Sequence, residues 1–386
     1  MVAYGSFLYF GLLVYVVAVA TALTWFGVRV RTIVLGTTLL MIVVQYGLGA
    51  HGLAAAPVVA IARVLGFAVM QFAVARAFLA RRAAAPRRGW FRAVVVVALL
   101  PLLLEKFAPG SPHSVVAFVG ISYATFRALD VIFGIQDGVI TELPAADYAA
   151  FLLFFPAISA GPIDRYRRFR GDFRQARTRE QLRADLDEAT VRVMRGVLYS
   201  FVLAPLIDVY WMTPATKHAG PAWLLSYTYA YSLHLFFDFA GYSALALGTG
   251  YALGIRSAEN FNRPFLATNI AEFWTRWHVS LSSWLRDHVY GRFVMAAMLG
   301  KWFAHREWNG YGGSALAFAL MGLWHGASWH YVAYGLYHAV MVVGYGMLTA
   351  AVPGRPRRAP LNPWVARLIT FHVVCAGFLI FSGRLF

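Results

Sequence analysis

The sequence predicts an all-α polytopic membrane protein with about eleven transmembrane helices. Of the 386 residues, 60% are hydrophobic and only 13% are charged, and the mean hydropathy is +0.60. Soluble domains carry about 25% charged residues, so this chain lacks the charge that would cover a water-exposed surface. Its single cysteine, Cys375, cannot form an internal disulfide. The composition therefore excludes an ordinary soluble enzyme, a disordered tail and a disulfide-stapled domain.

Uncharged runs define the predicted helices, because about 20 apolar residues are needed to cross ~30 Å of hydrocarbon. The first run lacks a positively charged n-region, which favours a permanent helix over a signal peptide. No Asp, Glu, Lys or Arg occurs in the 47 residues from Trp308 to Gly354, which leaves room for two helices. The predicted spans are residues 6–26, 32–49, 57–79, 91–104, 115–133 and 191–210, one long stretch over 223–253, two within 308–354, and 366–381.

The formal net charge of +17 comes from 34 Lys and Arg against 17 Asp and Glu. The basic residues lie between apolar runs rather than on a soluble domain, which argues against a nucleic-acid partner. Three basic groups fall on one side of the membrane if the N-terminus is outside, and the positive-inside rule makes that side cytoplasmic. These groups are Arg29 and Arg31, then Arg76, Arg81, Arg82, Arg87, Arg88 and Arg92, and finally Arg355, Arg357 and Arg358.

One apolar segment breaks this alternation. Residues 147–160 form a short run that contains Pro156, and the following residues 163–183 hold eight Arg against three acids. A full crossing would place that basic stretch outside. A re-entrant or interfacial segment that returns to the cytoplasm resolves the conflict, since irregular backbone is tolerated where protein or water covers it.

Ionisable residues inside apolar runs are costly and tend to mark functional sites. His325 lies within the charge-free run and is flanked by Gly322 and Gly326, which leave room for a ligand or a neighbouring backbone. The alternative is a buried histidine that only donates to a backbone carbonyl. His278 lies within a largely aromatic stripe at helical spacing, residues 274–284. The alternative there is an interfacial amphipathic helix anchored by tryptophans.

His234 and Asp238 are spaced i,i+4 in the long apolar stretch. Either they satisfy each other, or Asp238 orients another group in a cavity. The sequence contains no HExxH, no Walker-type glycine loop and no G-x-S-x-G motif. His325 and His330 have poor helical spacing for a shared metal. These patterns leave histidine-based acid–base chemistry in an apolar pocket, without a metal.

Several ordered motifs resemble the membrane-bound O-acyltransferase family. The first is the stretch that begins with residues 259–265 (Glu-Asn-Phe-Asn-Arg-Pro-Phe) and runs through Arg286-Asp287. It is followed by residues 321–326 (Met-Gly-Leu-Trp-His-Gly). Residues 155–169 and 286–294 are similar to the branch that transfers D-alanine to cell-envelope polymers, and the second stretch lacks the glycine-rich basic loop of alginate-type O-acetylases. The resemblance is strong over roughly residues 151–337.

This resemblance implies helices that ring a central funnel, with re-entrant pieces near the middle of a bacterial plasma membrane. The chain would then form one such domain over residues 1–386. Its parts would be N-terminal helices in 1–133, a catalytic core in 145–350 and a C-terminal helix in 364–386.

By motif match, His325 corresponds to the catalytic histidine of the family and His278 to its second near-invariant polar position. An imidazole, with a pKa of ~6.5, can take the proton of a hydroxyl that attacks an acyl thioester. His278 or the indole N–H of Trp324 can stabilise the oxyanion. Supporting or tunnel positions are expected at Trp324, Asn269, Trp274, Trp277, Ser282, Asp238 and His234.

In the D-alanyl branch the donor is a thioester on the phosphopantetheine arm of a small acidic carrier protein, and no bound cofactor is expected. Basic cytoplasmic loops can steer such a carrier, and Arg165, Arg167 and Arg168 are the docking candidates. These arginines can also simply set topology and bind anionic lipid headgroups.

Two alternatives to D-alanyl transfer stay open at the level of sequence. One is an O-acetylase of an exported polysaccharide, and the other is a non-catalytic transporter of a lipid-linked or acyl intermediate. The acceptor is also open: teichoic acid, another glycan, or an extracytoplasmic partner protein that relays the D-alanine.

Overall fold

This computed structural model describes residues 4, 7–47, 56–84, 88–107, 118–350 and 361–386. The regular structure of these residues is helical. Within these residues there is no strand, and one isolated bridge pairs Phe261 with Trp277. The predicted all-α class is confirmed. The chain divides into two units, Met1–Val197 with Gly241–Ala258 and Leu198–Ala240 with Glu259–Phe386.

The first unit is built mainly from eight helices, and among them α3, α4 and α5 pack on one another. One π-helical turn, Val43–Gly47, extends the second helix. The helices are α1 (Phe7–Trp25), α2 (Val30–Ile42), α3 (Ala56–Ala84), α4 (Arg88–Phe107), α5 (Ile121–Gln136), α6 (Ala145–Leu153), α7 (Tyr166–Arg174) and α8 (Arg179–Val197).

In the second unit, α15 packs on α16, and α12 contacts both α16 and α17. Residues 241–252 of α11 belong to the first unit. The helices are α9 (Ala204–Ile207), α10 (Thr213–Thr216), α11 (Pro221–Ala252), α12 (Ile270–Arg276), α13 (Val279–Leu285), α14 (Gly291–Gly300), α15 (Arg306–His325), α16 (Trp329–Thr349) and α17 (Pro363–Phe381). Three π-helical turns, Leu198–Leu203, Asp208–Met212 and Arg286–Tyr290, lie between them.

Six helical segments of the described residues are long and apolar enough to cross a membrane. They confirm a multi-pass membrane protein, whereas the count of about eleven crossings and the outside N-terminus stay predictions. Of the basic groups used to predict topology, Arg87, Arg355, Arg357 and Arg358 lie outside the described residues. The six segments are Leu8–Trp25, Val30–Gly47, Val58–Arg82, Arg179–Thr216, Trp329–Thr349 and Pro363–Phe381.

The segment that broke the charge alternation is a short helix. After the nine residues of α6, Phe154 leaves helical geometry (φ −48°, ψ 102°), and only a 3-10 turn, Phe155–Ala157, follows. Nine residues rise about 14 Å, less than half of the ~30 Å hydrocarbon core. This length agrees with a re-entrant or interfacial segment rather than a crossing.

Arg127 of α5 holds the broken segment in place. Its side chain is among the largest fully buried ones, and the guanidinium donates to the carbonyl oxygens of Ala157 (2.6 Å), Pro162 (3.3 Å) and Leu152 (3.4 Å). These carbonyls have left regular helix and need partners, because the membrane interior offers no water. One cation thus satisfies backbone that a helix break would otherwise leave unpaired.

We expect Arg127→Met to destabilise the first unit by about 3 kcal/mol or more, because it leaves several buried carbonyls without a donor. Thermal unfolding of the detergent-solubilised protein, followed by circular dichroism, measures the change. Arg31→Met is the control, since Arg31 is exposed on α2. Equal melting temperatures for the two variants would contradict this role.

Candidate active site

The start of α12 is fixed by a reciprocal cap. The side chain of Asn269 accepts from the backbone N–H of Glu272 at 2.8 Å, and the N–H and hydroxyl of Thr268 both donate to the Glu272 carboxylate at 2.7 Å. Such pairs satisfy the unpaired donors of a helix N-terminus. The Thr268 donors, together with Arg276, hold the pKa of the Glu272 carboxyl below its usual value.

His278 lies in the reversal between α12 and α13. Its backbone is left-handed (φ 43°, ψ 50°) and the residue is 4% exposed. This conformation costs a non-glycine residue about 1–3 kcal/mol. Two backbone hydrogen bonds hold it, from Asn262 N–H to the Arg276 carbonyl and from Val279 N–H to the Asn260 carbonyl, both 2.9 Å. Asn260 and Asn262 therefore hold His278 in a strained backbone conformation. Such strain is typical of functional sites.

The side chain of Asn260 sets the tautomer of His278. Asn260 Oδ1 accepts from the Ser280 hydroxyl at 2.5 Å and lies 3.3 Å from His278 Nδ1. Since an amide oxygen can only accept, Nδ1 carries the proton in this arrangement. The neutral ring then has its lone pair on Nε2.

His325 is the last residue of α15, and two glycines bring that helix against α16. A Cβ on Gly322 would lie 2.6 Å from the Tyr331 carbonyl oxygen, and one on Gly335 would lie 2.6 Å from the Phe318 carbonyl oxygen. Only the absence of side chains permits this approach, as the sequence predicted for Gly322. The imidazole of His325 packs against aromatic rings, with centroid distances of 4.5 Å to Trp324, 4.8 Å to Phe381, 5.8 Å to Tyr331 and 6.1 Å to Tyr334.

His278 and His325 line one small cavity of about 50 Å³. One water occupies about 10–15 Å³ on this measure, so the cavity accommodates a short chemical group and not a long chain. Its walls are otherwise apolar or aromatic, and no carboxylate is among them. The other lining residues are Leu235, Phe239, Trp274, Trp277, Leu281, Met321, Tyr334, Phe378 and Phe381.

A larger cavity of about 320 Å³ shares two wall residues, Trp274 and Met321, with the small one. Its surface combines apolar side chains with three serine hydroxyls and the guanidinium-bearing Arg286. The other lining residues are Thr275, Val279, Ser282, Ser283, Leu285, Tyr290, Ser314, Ala317 and Phe318. The two cavities are neighbours within the second unit.

The structure brings some of the predicted site residues together and not others. Four of them, His325, His278, Trp274 and Trp277, line the small cavity, and Ser282 lines the larger one. Trp324 contacts both histidine rings, at centroid distances of 6.3 Å to His278 and 4.5 Å to His325. Asn269, His234 and Asp238 line neither cavity.

The proposed pairing of His234 with Asp238 is not among the hydrogen bonds of the described chain. His234 Nδ1 instead lies 3.1 Å from the carbonyl oxygen of Ala204, to which it donates, and Asp238 is exposed on α11. The i,i+4 spacing places the two residues on one helix face, but the histidine finds a carbonyl on a neighbouring segment.

The three docking candidates differ in their surroundings. Arg165 pairs with Asp130 at 2.9 Å, and Arg168 pairs with Asp164 and Asp172. Arg167 is exposed and makes no ion pair with a described residue. Two of the three guanidinium groups are therefore committed to internal ion pairs, and Arg167 alone has its charge available.

Sequence reasoning missed several residues of the site. Asn260 stands inside the Glu-Asn-Phe-Asn motif, and its polar side chain beside apolar residues could have marked it as a site residue. Tyr334 and Phe381 come from α16 and α17 and reach the cavity only through tertiary packing. The fully buried His338 of α16, which lies against Trp274 with ring centroids 4.9 Å apart, was also overlooked.

A helical membrane protein with two histidines at one small apolar cavity has an arrangement suited to a membrane-embedded acyl-transfer enzyme. Comparison with known proteins agrees: residues 130–382 match the model of the MBOAT, membrane-bound O-acyltransferase family. The chain belongs to this family and is an O-acyltransferase, as its motifs predicted.

Three relatives represent two branches of the family. The chain is 38% identical over 400 residues to the teichoic acid D-alanyltransferase of Bacillus subtilis, covering 100% of this chain and 99% of that protein. It is 39% identical over 306 residues to the enzyme of the same description from Streptococcus thermophilus, 74% of each chain. The probable alginate O-acetylase of Pseudomonas aeruginosa is 36% identical over 276 residues, 69% of this chain and 49% of that protein.

Proposed function

We propose that this protein transfers a D-alanyl group from a carrier-protein thioester to a hydroxyl acceptor for modification of a cell-envelope polymer. The observation that carries the proposal is the small cavity with both His325 and His278 in its wall. The full-length similarity to a teichoic acid D-alanyltransferase supports the choice of acyl group. The protein would act in a bacterial plasma membrane, with its N-terminus outside.

His325 serves as the general base. An alcohol is a weak nucleophile near neutral pH, and the imidazole removes its proton as the oxygen attacks the thioester carbonyl. The tetrahedral intermediate then collapses, the carbon–sulfur bond breaks, and the leaving thiolate takes the proton from the imidazolium. A new ester and a free thiol result, so protons and electron pairs balance.

His278 contributes to the same cavity in a defined tautomer. With Nδ1–H directed to Asn260, its Nε2 accepts hydrogen bonds, and it can donate from Nε2 only after protonation. We therefore assign His278 to orienting the acceptor hydroxyl or sharing its proton. The indole of Trp324, which contacts both histidines, is the better candidate for stabilising the oxyanion.

The larger cavity is the place for the donor. A phosphopantetheine arm alternates amide groups with methylene groups, and the serine hydroxyls and apolar side chains of this cavity suit that alternation. Because Trp274 and Met321 border both cavities, a thioester at their junction would present only its acyl group to the histidines. The apolar walls would also keep water from hydrolysing the thioester.

The small cavity accommodates short acyl groups, which supports both D-alanyl and acetyl transfer and argues against long acyl chains. The decisive experiment offers the purified protein a carrier loaded with D-alanine, acetate or palmitate and a soluble hydroxyl acceptor. We expect D-alanyl transfer to be fastest and palmitoyl transfer undetectable. Preferred acetyl transfer would favour the polysaccharide O-acetylase, and no transfer from any of these donors would contradict the carrier-protein thioester as the donor.

An acidic carrier protein on the cytoplasmic side is expected to contact Arg167. At low salt, Arg167→Glu should weaken carrier binding about two- to fivefold, as expected for one exposed interfacial charge. The effect should shrink as salt is added, and Arg167→Gln should have a smaller effect. Surface plasmon resonance at several salt concentrations measures it.

Arg165 and Arg168 are poor choices for the same test, because reversing them would also break internal ion pairs with Asp130, Asp164 and Asp172. Carrier affinity that is the same for wild type and Arg167→Glu at every salt concentration would remove Arg167 from the docking surface. The basic loops would then serve topology and lipid headgroups.

A further inference from the structure

Two buried polar side chains next to the small cavity make no hydrogen bond within the described chain. They are the indole Nε1 of Trp274, a residue only 8% exposed, and both ring nitrogens of His338, which is 0% exposed. Native structures contain few such groups, because each loses its bonds to water without replacement. Two of them in direct contact require an explanation.

The two rings meet edge to face, with centroids 4.9 Å apart and an interplanar angle of 88°. Trp274 is the donor of the pair and His338 is the possible acceptor, since a neutral imidazole always has one accepting nitrogen. A turn of one ring would therefore give the indole N–H an acceptor and the accepting nitrogen of His338 a donor.

His338 is held in place, and Trp274 has room to move. A Cβ on Gly377 would lie 2.5 Å from His338 Nε2, and the His338 ring also packs against Tyr334 and Tyr337, with centroids 4.7 and 5.2 Å away. Trp274, by contrast, borders open space on two sides, because it lines both the small and the larger cavity. The ring that borders both cavities therefore has space beside it that the His338 ring lacks.

We propose that the Trp274 indole turns within this partition, donates its Nε1–H to His338, and thereby opens the passage from the larger cavity to His325. His338 is then a positioning residue: it touches no substrate and stabilises the open orientation of Trp274. The inference rests on the proposed function, since the acyl thioester is what passes through the opening.

The two orientations of Trp274 correspond to a closed and an open passage. In the first orientation, the indole covers the histidine cavity and its Nε1–H has no acceptor among the described residues. In the second, the bond to His338 forms in surroundings of low dielectric constant, where it is strong, and offsets the aromatic contacts that are lost. An incoming acyl thioester would select the second orientation, so the histidines would meet the thioester and little water.

A double-mutant cycle tests this pairing. Trp274→Phe and His338→Phe each remove one member of the hydrogen bond and keep an aromatic ring. We expect each to lower kcat for D-alanyl transfer about tenfold with little change in KM, as for loss of one hydrogen bond. The double variant should be no slower than either single one, because the same interaction is lost in all three. Multiplying effects, about a hundredfold in the double variant, would overturn the inference.

Replacement of the acceptor gives an independent check. Either His338→Gln or His338→Asn should recover most of the rate, since an amide oxygen accepts from the indole, whereas failure of both would overturn the pairing. His372→Phe is the matched control: His372 is an exposed histidine on α17, with Nδ1 2.7 Å from the Leu368 carbonyl oxygen, and it lines neither cavity.

A second measurement covers the case in which His338→Phe does not fold. The protein labelled with 5-fluorotryptophan should show one fluorine resonance that is missing in Trp274→Phe. That resonance should shift when a non-hydrolysable D-alanyl pantetheine analogue is added, and an unchanged resonance at saturation would overturn the inference. The rate of D-alanyl transfer by the wild-type protein is measured first, because a lack of transfer would contradict the proposed function. Normal wild-type transfer, combined with effects of the two substitutions that multiply, would contradict only the role of His338.

Discussion

Replacement of His325 by alanine is expected to lower the rate of D-alanyl transfer about 10²- to 10⁴-fold, the usual contribution of general-base catalysis. The imidazole at the end of α15 is the group proposed to take the proton of the acceptor hydroxyl. Without it, the hydroxyl must attack while still protonated or give its proton to water, and the apolar cavity leaves little water. Transfer from a radiolabelled D-alanyl carrier measures the effect.

The loss should appear in kcat and not in KM, because a base acts only in the transition state. Binding of the carrier should be unchanged, since His325 lines an apolar cavity and is not one of the exposed charges proposed for docking. His330→Ala is the matched control: His330 lies five residues after His325 in the chain, but it lines neither cavity. Equal transfer by wild type and His325→Ala would refute the catalytic assignment.

The membrane architecture could be predicted because it depends on local composition. Apolar runs and arginine counts identified a multi-pass helical protein. They also identified the short segment in which helix α6 ends at Leu153. What they could not identify is the reason that this break is tolerated. Arg127 belongs to another helix, and its three carbonyl partners are 25, 30 and 35 residues away.

The sequence motifs likewise identified His278 and His325 as candidates but not the side chains around them. Tyr334 enters the cavity from α16, which Gly322 and Gly335 let approach α15 closely, and Phe381 enters it from α17. Such packing is a property of several helices together. No periodicity within one segment reports such an approach.

Charge patterns did not show which arginines have their charge available for a partner. A run of arginines predicts a positive surface, but Arg165 and Arg168 are bound to acids that the same run or a distant helix supplies. The i,i+4 spacing of His234 and Asp238 likewise permits a pair that His234 does not make. Spacing along a helix defines which side chains can meet, whereas tertiary neighbours decide which of them do.

Asn260 offers the second large effect, and it tests the tautomer of His278. Asn260→Leu keeps the number and branching of the heavy atoms of a fully buried side chain and removes the acceptor for Nδ1–H. The imidazole can then exchange its proton between the two nitrogens and rotate. We expect transfer to fall about 10²-fold, less than the ~10⁴-fold loss when a serine-protease triad loses its charged tautomer-setting partner.

Two further variants separate this role from a packing effect. Asn260→Asp retains an acceptor, but its carboxylate would favour the imidazolium and raise the pKa of His278. If His278 must be neutral, the acid limb of the pH–rate profile therefore moves to higher pH, while the rate at high pH recovers. Ser280→Ala leaves the Asn260–His278 contact intact and should cost far less than Asn260→Leu. A pH profile that is the same for Asn260→Asp and wild type would show that protonation of His278 does not limit the reaction, and the assignment of its Nε2 lone pair to the acceptor hydroxyl would fail.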